Sequence, residues 1–130
     1  MATKKPRKKI SKRRRLVKKL DTIFSLYIRA RDKYCYICGT DYRLQCGHVF
    51  SRAFYNTRWD EENAFGQCAG CNMKHSWDSV PYFEKYQQEF GKEKFDEVYA
   101  RTRIIAKFSN DDLENMYNDF KEKYELIKED

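Results

Sequence analysis

Cys35-Tyr-Ile-Cys38 and Cys68-Ala-Gly-Cys71 decide how this chain is read. A zinc ion takes four soft ligands at tetrahedral corners, and each C-x-x-C turn supplies two thiolates. Two such pairs in one chain therefore read as a single closed, structural four-cysteine site. Gly39, directly after the first pair, suits the tight turn of a metal knuckle. The 29 residues between the pairs exceed what a simple zinc ribbon needs, so something is built between the knuckles. A fifth cysteine, Cys46, is left over: a small buried residue, a substitute ligand or part of a site.

The insert holds the other informative residues. Residues 42–50 predict a strand and residues 64–67 a second, shorter one. Between them, 51–62 read as a loop rich in arginine and aromatics: Arg52, Phe54, Tyr55, Arg58 and Trp59. A helix is expected from about residue 71 to 79. Only two histidines are present. His48 closes the first predicted strand, and His75 lies four residues after Cys71. A neutral imidazole suits a general base near neutral pH, though a lone histidine in a strand also serves as a satisfied core residue. Asn72 follows the second knuckle, where asparagine also caps helices. Arg52 and Arg58 are placed to clamp phosphate beside His48.

Working outward, Leu16, Leu20, Ile23, Phe24, Tyr27 and Ile28 recur at helical spacing and predict a helix over 12–32. Its basic start is unfavourable at the positive end of a helix dipole, so that end is expected to fray. The net charge of +7 is uneven. Residues 1–19 carry eleven Lys and Arg and no acid; the remainder is −4 by itself. Residues 1–19 thus read as a basic, partly disordered tail that attracts phosphates, with Arg13, Arg14, Arg15, Lys18 and Lys19 as contacts. Residues 20–130 read as one zinc-stapled domain, a staple being what a 130-residue chain with a modest core calls for. Its C-terminal extension, about 81–127, is helical. Pro81 opens a helix that ends near Gly91; a second covers 93–105. Ser109-Asn-Asp-Asp112 resembles a capping box, and Leu113, Met116, Tyr117, Phe120, Tyr124 and Ile127 share one face of the last helix. No apolar leader core follows the basic N-terminus, and no apolar run reaches membrane-spanning length. Paired cysteines outside a secreted disulfide pattern point to a reducing, cytoplasmic setting.

Taken together, Cys35–Cys38, Gly47-His48, Asn63, Gln67-Cys68-x-x-Cys71-Asn72 and His75 resemble the HNH endonuclease superfamily. The stretches Gln45-Cys-Gly-His-Val-Phe-Ser-Arg52 and Thr57-Arg-Trp-Asp-Glu-Glu-Asn63, with Phe24-Ser-x-Tyr-Ile-Arg-x-Arg-Asp32 at the entry, are similar to the phage NinG/Rap recombination nucleases. The resemblance implies an α+β fold: a ββα-metal core with a four-cysteine zinc site, flanked by N- and C-terminal helices. It implies a metal-dependent DNA endonuclease acting on branched DNA such as Holliday junctions or flaps. His48 would be the base and Asn63 the brace of the loop. Asn72, which stands where related endonuclease VII resolvases ligate metal, would hold magnesium or manganese with His75, one helical turn on. Asp78 would orient His75. Gly47 and Gln45 stand where relatives carry residues such as His, Asp or Glu, so Asp60, Glu61 or Glu62 could contribute to the cation instead. Two rival expectations remain: a zinc-stapled module that binds DNA without cutting, and a duplex-nicking enzyme working with phage packaging. A resolvase is best served by a two-fold dimer, and recombination proteins would be its company.

Overall fold

Helix α1, Lys12–Asp32, starts at Ser11, whose side chain accepts a hydrogen bond from the Arg14 amide at 3.2 Å. The computed structural model describes residues 9–128, so the disorder expected for residues 1–10 falls almost entirely outside them. The basic start of α1 is helical from Lys12: a serine cap satisfies an amide there and the apolar stripe carries the helix. Leu16, Leu20, Ile23, Phe24 and Ile28 are buried along it. The helix runs unbroken through residues 19 and 20 and stops at Lys33, which takes a left-handed backbone (φ 67°) and donates to the Arg29 carbonyl.

Strand β1, Leu44–His48, pairs antiparallel with β2, Ala64–Cys68, in the register Leu44↔Cys68 to His48↔Ala64. Both differ from expectation by a few residues. β1 is shorter than residues 42–50 because Arg43 enters the left-handed region (φ 52°), while the Val49 amide bonds the Asn63 carbonyl at 2.7 Å and the Val49 carbonyl turns to His75. The connection is not a bare loop: it holds a one-turn helix α2, Tyr55–Arg58, and a 3-10 turn, Glu61–Asn63. Helix α3, Ala69–His75, begins two residues earlier than expected. The Cys68 sulfur caps it by accepting from the Cys71 amide at 3.4 Å, so Asn72 lies inside the helix and is not its cap.

Successive side chains on a strand point to opposite faces. Cys46 and His48 turn toward α1, where Cys46 joins the core and His48 sits 6.0 Å from the Phe24 ring. Gln45 turns toward α3, bonding Asn72. On the first face, α1 packs on α6, Asn110–Ile127, around Leu20, Leu113 and Phe120. The capping box at Ser109 and Asp112 forms as its sequence suggests. On the other face lie α4, Val80–Phe90, and α5, Lys92–Thr102, around Val49, Phe50, Tyr82, Tyr86 and Val98. Helix α5 ends three residues short of expectation, at a turn where Arg103 and Ile104 donate back to the helix carbonyls. The result is a mostly helical α+β arrangement with a two-stranded sheet between two helical layers. No helix among the described residues is long and apolar enough to cross a membrane. The end of α1 is keyed to β2: Arg31 donates to the Ala64 carbonyl at 2.7 Å, and Asp32 accepts from the Gly66 amide at 2.7 Å.

Leu20, on α1, is fully buried in the core shared with α6. Leu20→Ala should destabilise the fold by about 2–5 kcal/mol, read as a lower urea midpoint with an unchanged slope.

Candidate functional site

The four cysteines of the two knuckles converge. The sulfurs of Cys35, Cys38, Cys68 and Cys71 all lie within 4.8 Å of one another, a set that can hold a zinc ion. The two turns match: the Cys38 amide donates to the Cys35 sulfur and the Cys71 amide to the Cys68 sulfur, both at 3.4 Å. Burial raises the Cys35 thiol, but the amides of Cys38, Cys68 and Ile37 outweigh it and bring it down to about 6. That favours a thiolate at Cys35, while burial and the neighbouring sulfurs push the Cys71 thiol up. Cys46 stands apart from the cluster, and burial pushes its thiol up to about 12. It is a half-buried residue packed against the core and no substitute ligand.

At the opposite end of the sheet, a cavity of about 810 Å³ opens between α1, β1 and α3. His48, Gln45 and Asn72 line it from the sheet and α3, Asp21 and Phe24 from α1, and Arg52 from the loop. His48 Nε2 lies 2.8 Å from the Arg58 carbonyl. A carbonyl only accepts, so neutral His48 carries its proton on Nε2, and Nδ1 keeps the free lone pair. Burial lowers the His48 pKa below its ordinary 6.5, so the ring is neutral at neutral pH.

Asn63 does not line the cavity; it is fully buried and braces the loop around it. Its Oδ1 accepts from the Phe50 amide at 2.9 Å, and its Nδ2 donates to the carbonyls of Phe50 and Thr57 at 3.1 and 3.0 Å. Gly47 has a steric reason. A Cβ there would fall 1.8 Å from the Gln67 side-chain oxygen, and Tyr82 donates to the Gly47 carbonyl at 2.7 Å. The buried Gln67 amide fills the space that a ligand side chain at position 47 would need.

Asn72 Nδ2 donates to Gln45 Oε1 at 2.9 Å, which leaves the Asn72 carbonyl oxygen free to accept. His75 also lines the cavity; its Nε2 donates to the Val49 carbonyl at 2.9 Å, and its Nδ1 is buried without a hydrogen-bond partner. Asp78 does not orient His75; it accepts from the Val80 amide at 3.2 Å. Asp60 and Glu62 pair with Arg101, and Glu61 with Lys123 and Tyr27, so none of the three reaches the cavity. The acid that does line it is Asp21, which the sequence reading missed. Its oxygens already accept from Arg58 at 2.9 and 2.5 Å and from Trp59 Nε1 at 2.9 Å. The one available signal was that Asp21 is the first acid in the chain, set in a basic helix. For a divalent cation the cavity therefore offers neutral oxygens from Asn72 and Gln45. They fit a weakly held hard ion that takes its negative partner from a bound phosphate.

A second groove, about 650 Å³, continues along α1 and shares Asp21 and Arg52 with the cavity. Arg13, Arg14 and Lys18 line it, with Arg58 at the shared end. Arg58 is not a free clamp, because Asp21 holds it in a bidentate pair. Arg13 donates to the Phe108 carbonyl at 2.7 Å. Lys19 lies over the Tyr117 ring at 4.0 Å, on the α6 side, and neither it nor Arg15 lines the groove. The free cations of the groove thus come mainly from one face of α1, and Arg52 carries positive charge on into the cavity.

A profile of the family described as "Bacteriophage Lambda NinG protein" matches residues 1–130. Two curated relatives, each named "Protein ninG", come from Escherichia phage 933W and Enterobacteria phage VT2-Sa. Each is 33% identical over 87 residues, covering 63% of this chain and 43% of the relative. The match thus spans less than half the length of those relatives. No solved structure matches the chain.

Two substitutions test this geometry. Asn63→Ala should cost about 2–4 kcal/mol, because it strands one buried amide and two carbonyls, and urea unfolding measures it. Cys71→Ser should lose bound zinc and cooperative folding together, read by metal analysis and circular dichroism. A wild-type chain that is stable and zinc-free would refute the metal reading.

Proposed function

The chain belongs to the NinG family of bacteriophage proteins, and on that footing we propose that it is a metal-dependent DNA endonuclease of the HNH, ββα-metal type. Its substrate would be branched DNA such as Holliday junctions or flaps, processed in phage recombination in the host cytoplasm. The observation that carries the reading is His48: a neutral ring, fixed through Nε2 to the Arg58 carbonyl, lining a cavity that joins a basic groove. The order of elements agrees with it: two antiparallel strands with His48 ending the first, followed by a short helix bearing Asn72.

The groove along α1 would take the phosphate backbone, with Arg14, Lys18 and Arg52 as exposed cations. In the cavity, His48 Nδ1 takes a proton from a water molecule as its oxygen attacks phosphorus. The bond from phosphorus to one sugar oxygen breaks, and that oxygen leaves with a proton from solvent. Asn72 and Gln45 would hold a magnesium or manganese ion, which supplies charge neutralisation at the phosphate when bound. Asn63 and Asp21 act through other groups: Asn63 shapes the loop, and Asp21 clamps the residue whose carbonyl orients His48. The neutral donor set also suits a rival reading, a zinc-stapled module that binds DNA without cutting it.

Purified protein should cut a labelled four-way junction in magnesium or manganese in preference to its matched linear duplex. His48→Ala should cut neither while still binding. Tight, salt-sensitive binding with no cutting by the wild type would sink the enzyme reading and favour the binding module. Nicking of duplex without preference would overturn the branched substrate class.

The sign of the His48 shift gives a pH prediction. Burial favours the neutral ring, so the base form persists below pH 6.5 and is lost only as pH falls through the lowered value. Single-turnover cleavage should therefore hold steady through pH 6.5 and decline at lower pH. A decline already centred above pH 6.5 would show that another group limits the rate.

A further inference from the structure

We propose that Trp77 is a stacking platform for an unpaired base, and that it lets this chain distinguish branched or single-stranded DNA from perfect duplex. This rests on the endonuclease reading and names the feature of the substrate that the site would recognise.

The chain has two tryptophans, and they are treated in opposite ways. Trp59 is 4% exposed, packs its ring against Tyr55 and Phe108, and donates Nε1 to Asp21. Trp77 is 72% exposed, and its side chain has no ring, cation or hydrogen-bond partner among the described residues. Met73 is 70% exposed and Val80 56%, one helical turn before it and three residues after it. Single exposed apolar residues are ordinary, but three large ones within eight positions make a local patch that marks a contact surface.

The patch is held in place. The Trp77 amide donates to the Lys74 carbonyl at 3.1 Å and the Asp78 amide to the same carbonyl at 2.8 Å. Asp78 in turn caps the Val80 amide, and the Ser79 hydroxyl donates to the His75 carbonyl at 3.2 Å. Ser76, directly before Trp77, and Ser79, two residues after it, line the His48 cavity. A strand that leaves the cavity on that side passes close to the indole.

Size and shape select the occupant. Within the patch Lys74 stands against Asp78, whose carboxylate accepts from the Val80 amide, and Arg52 lines the neighbouring cavity. A stable protein partner would need roughly 800 Å² of each surface, well beyond one indole and two aliphatic neighbours. A nucleobase needs only a flat aromatic face beside a cation, and every base has a face to offer. In perfect duplex those faces are already stacked; at a junction, flap or gap some are free.

The test uses the full chain with calcium in place of magnesium, so that cleavage does not consume the DNA. Binding to a four-way junction, a gapped duplex and the perfect duplex is measured for wild type, Trp77→Ala and Trp77→Phe, with tryptophan emission recorded. Junction and gapped DNA should quench the wild-type emission, and Trp77→Phe should lose that quenching. Trp77→Ala should bind the branched substrates roughly ten-fold more weakly, with duplex affinity and thermal midpoint unchanged, and Trp77→Phe should recover most of the loss. An unchanged junction-to-duplex ratio in Trp77→Ala would overturn the proposal alone, as would wild-type emission that no DNA moves while DNA is bound. Failure to bind any DNA would overturn this proposal and the endonuclease reading together.

Discussion

One buried amide closes the loop on which the candidate site depends. Asn63 ties Phe50 to Thr57 through three hydrogen bonds, and its own carbonyl holds the Val49 amide. The requirement is specific to asparagine. One atom must accept from an amide while another donates to two carbonyls, and a carboxylate cannot donate. Arg58 follows Thr57 directly, so the clamp on Thr57 fixes where the Arg58 carbonyl points. That carbonyl holds the Nε2 proton of His48 and leaves the Nδ1 lone pair free, as the proposed base requires. The orientation of the histidine is thus set by a residue that never touches the cavity.

The sheet itself is minimal, and a two-stranded hairpin is marginal by itself in water. It persists because both faces and one end are occupied. Helices α1 and α6 cover the face that carries Cys46 and Ala64, and α4 covers the other, where Tyr82 bonds the Gly47 carbonyl. The cysteine cluster sits at the Leu44↔Cys68 end, whereas His48↔Ala64 is the other end. With about 3.4 Å per residue, the two centres are roughly 13 Å apart along the strand. A zinc ion in the cluster would therefore hold the hairpin without taking part in chemistry at His48.

The parts legible in the sequence were those with a short-range physical signature. Two C-x-x-C turns announced a four-thiolate cluster, Ser109 with Asp112 announced the start of α6, and the apolar stripe of α1 gave its bounds. The parts that were not legible depend on contacts distant in sequence. Nothing local says that Gln67 fills the space beside Gly47, or that His75 spends its Nε2 on Val49. Asp21 lies 37 residues from Arg58, so its place at the cavity emerges only when α1 packs across the sheet. The acids of residues 60–62 looked available for a cation because their partners, Arg101 and Lys123, lie about forty and sixty residues away.

That last arrangement also resolves an apparent conflict of charge. Beyond residue 19 the chain is net negative, which by itself would repel a polyanion. Yet the acids of the loop between the strands and their neighbours are paired locally. Asp60, Glu62 and Glu97 surround Arg101, Glu61 meets Lys123, and Asp32 meets Arg31. Asp21 is the only acid lining either the cavity or the groove, and it is neutralised by Arg58. The remaining cations there, Arg13, Arg14, Lys18 and Arg52, set the sign of the field a phosphate would meet. Arg58 then has two separate tasks. Its guanidinium cancels the one acid at the site, and its carbonyl aims His48, so removing Asp21 would expose a cation and loosen the histidine at once.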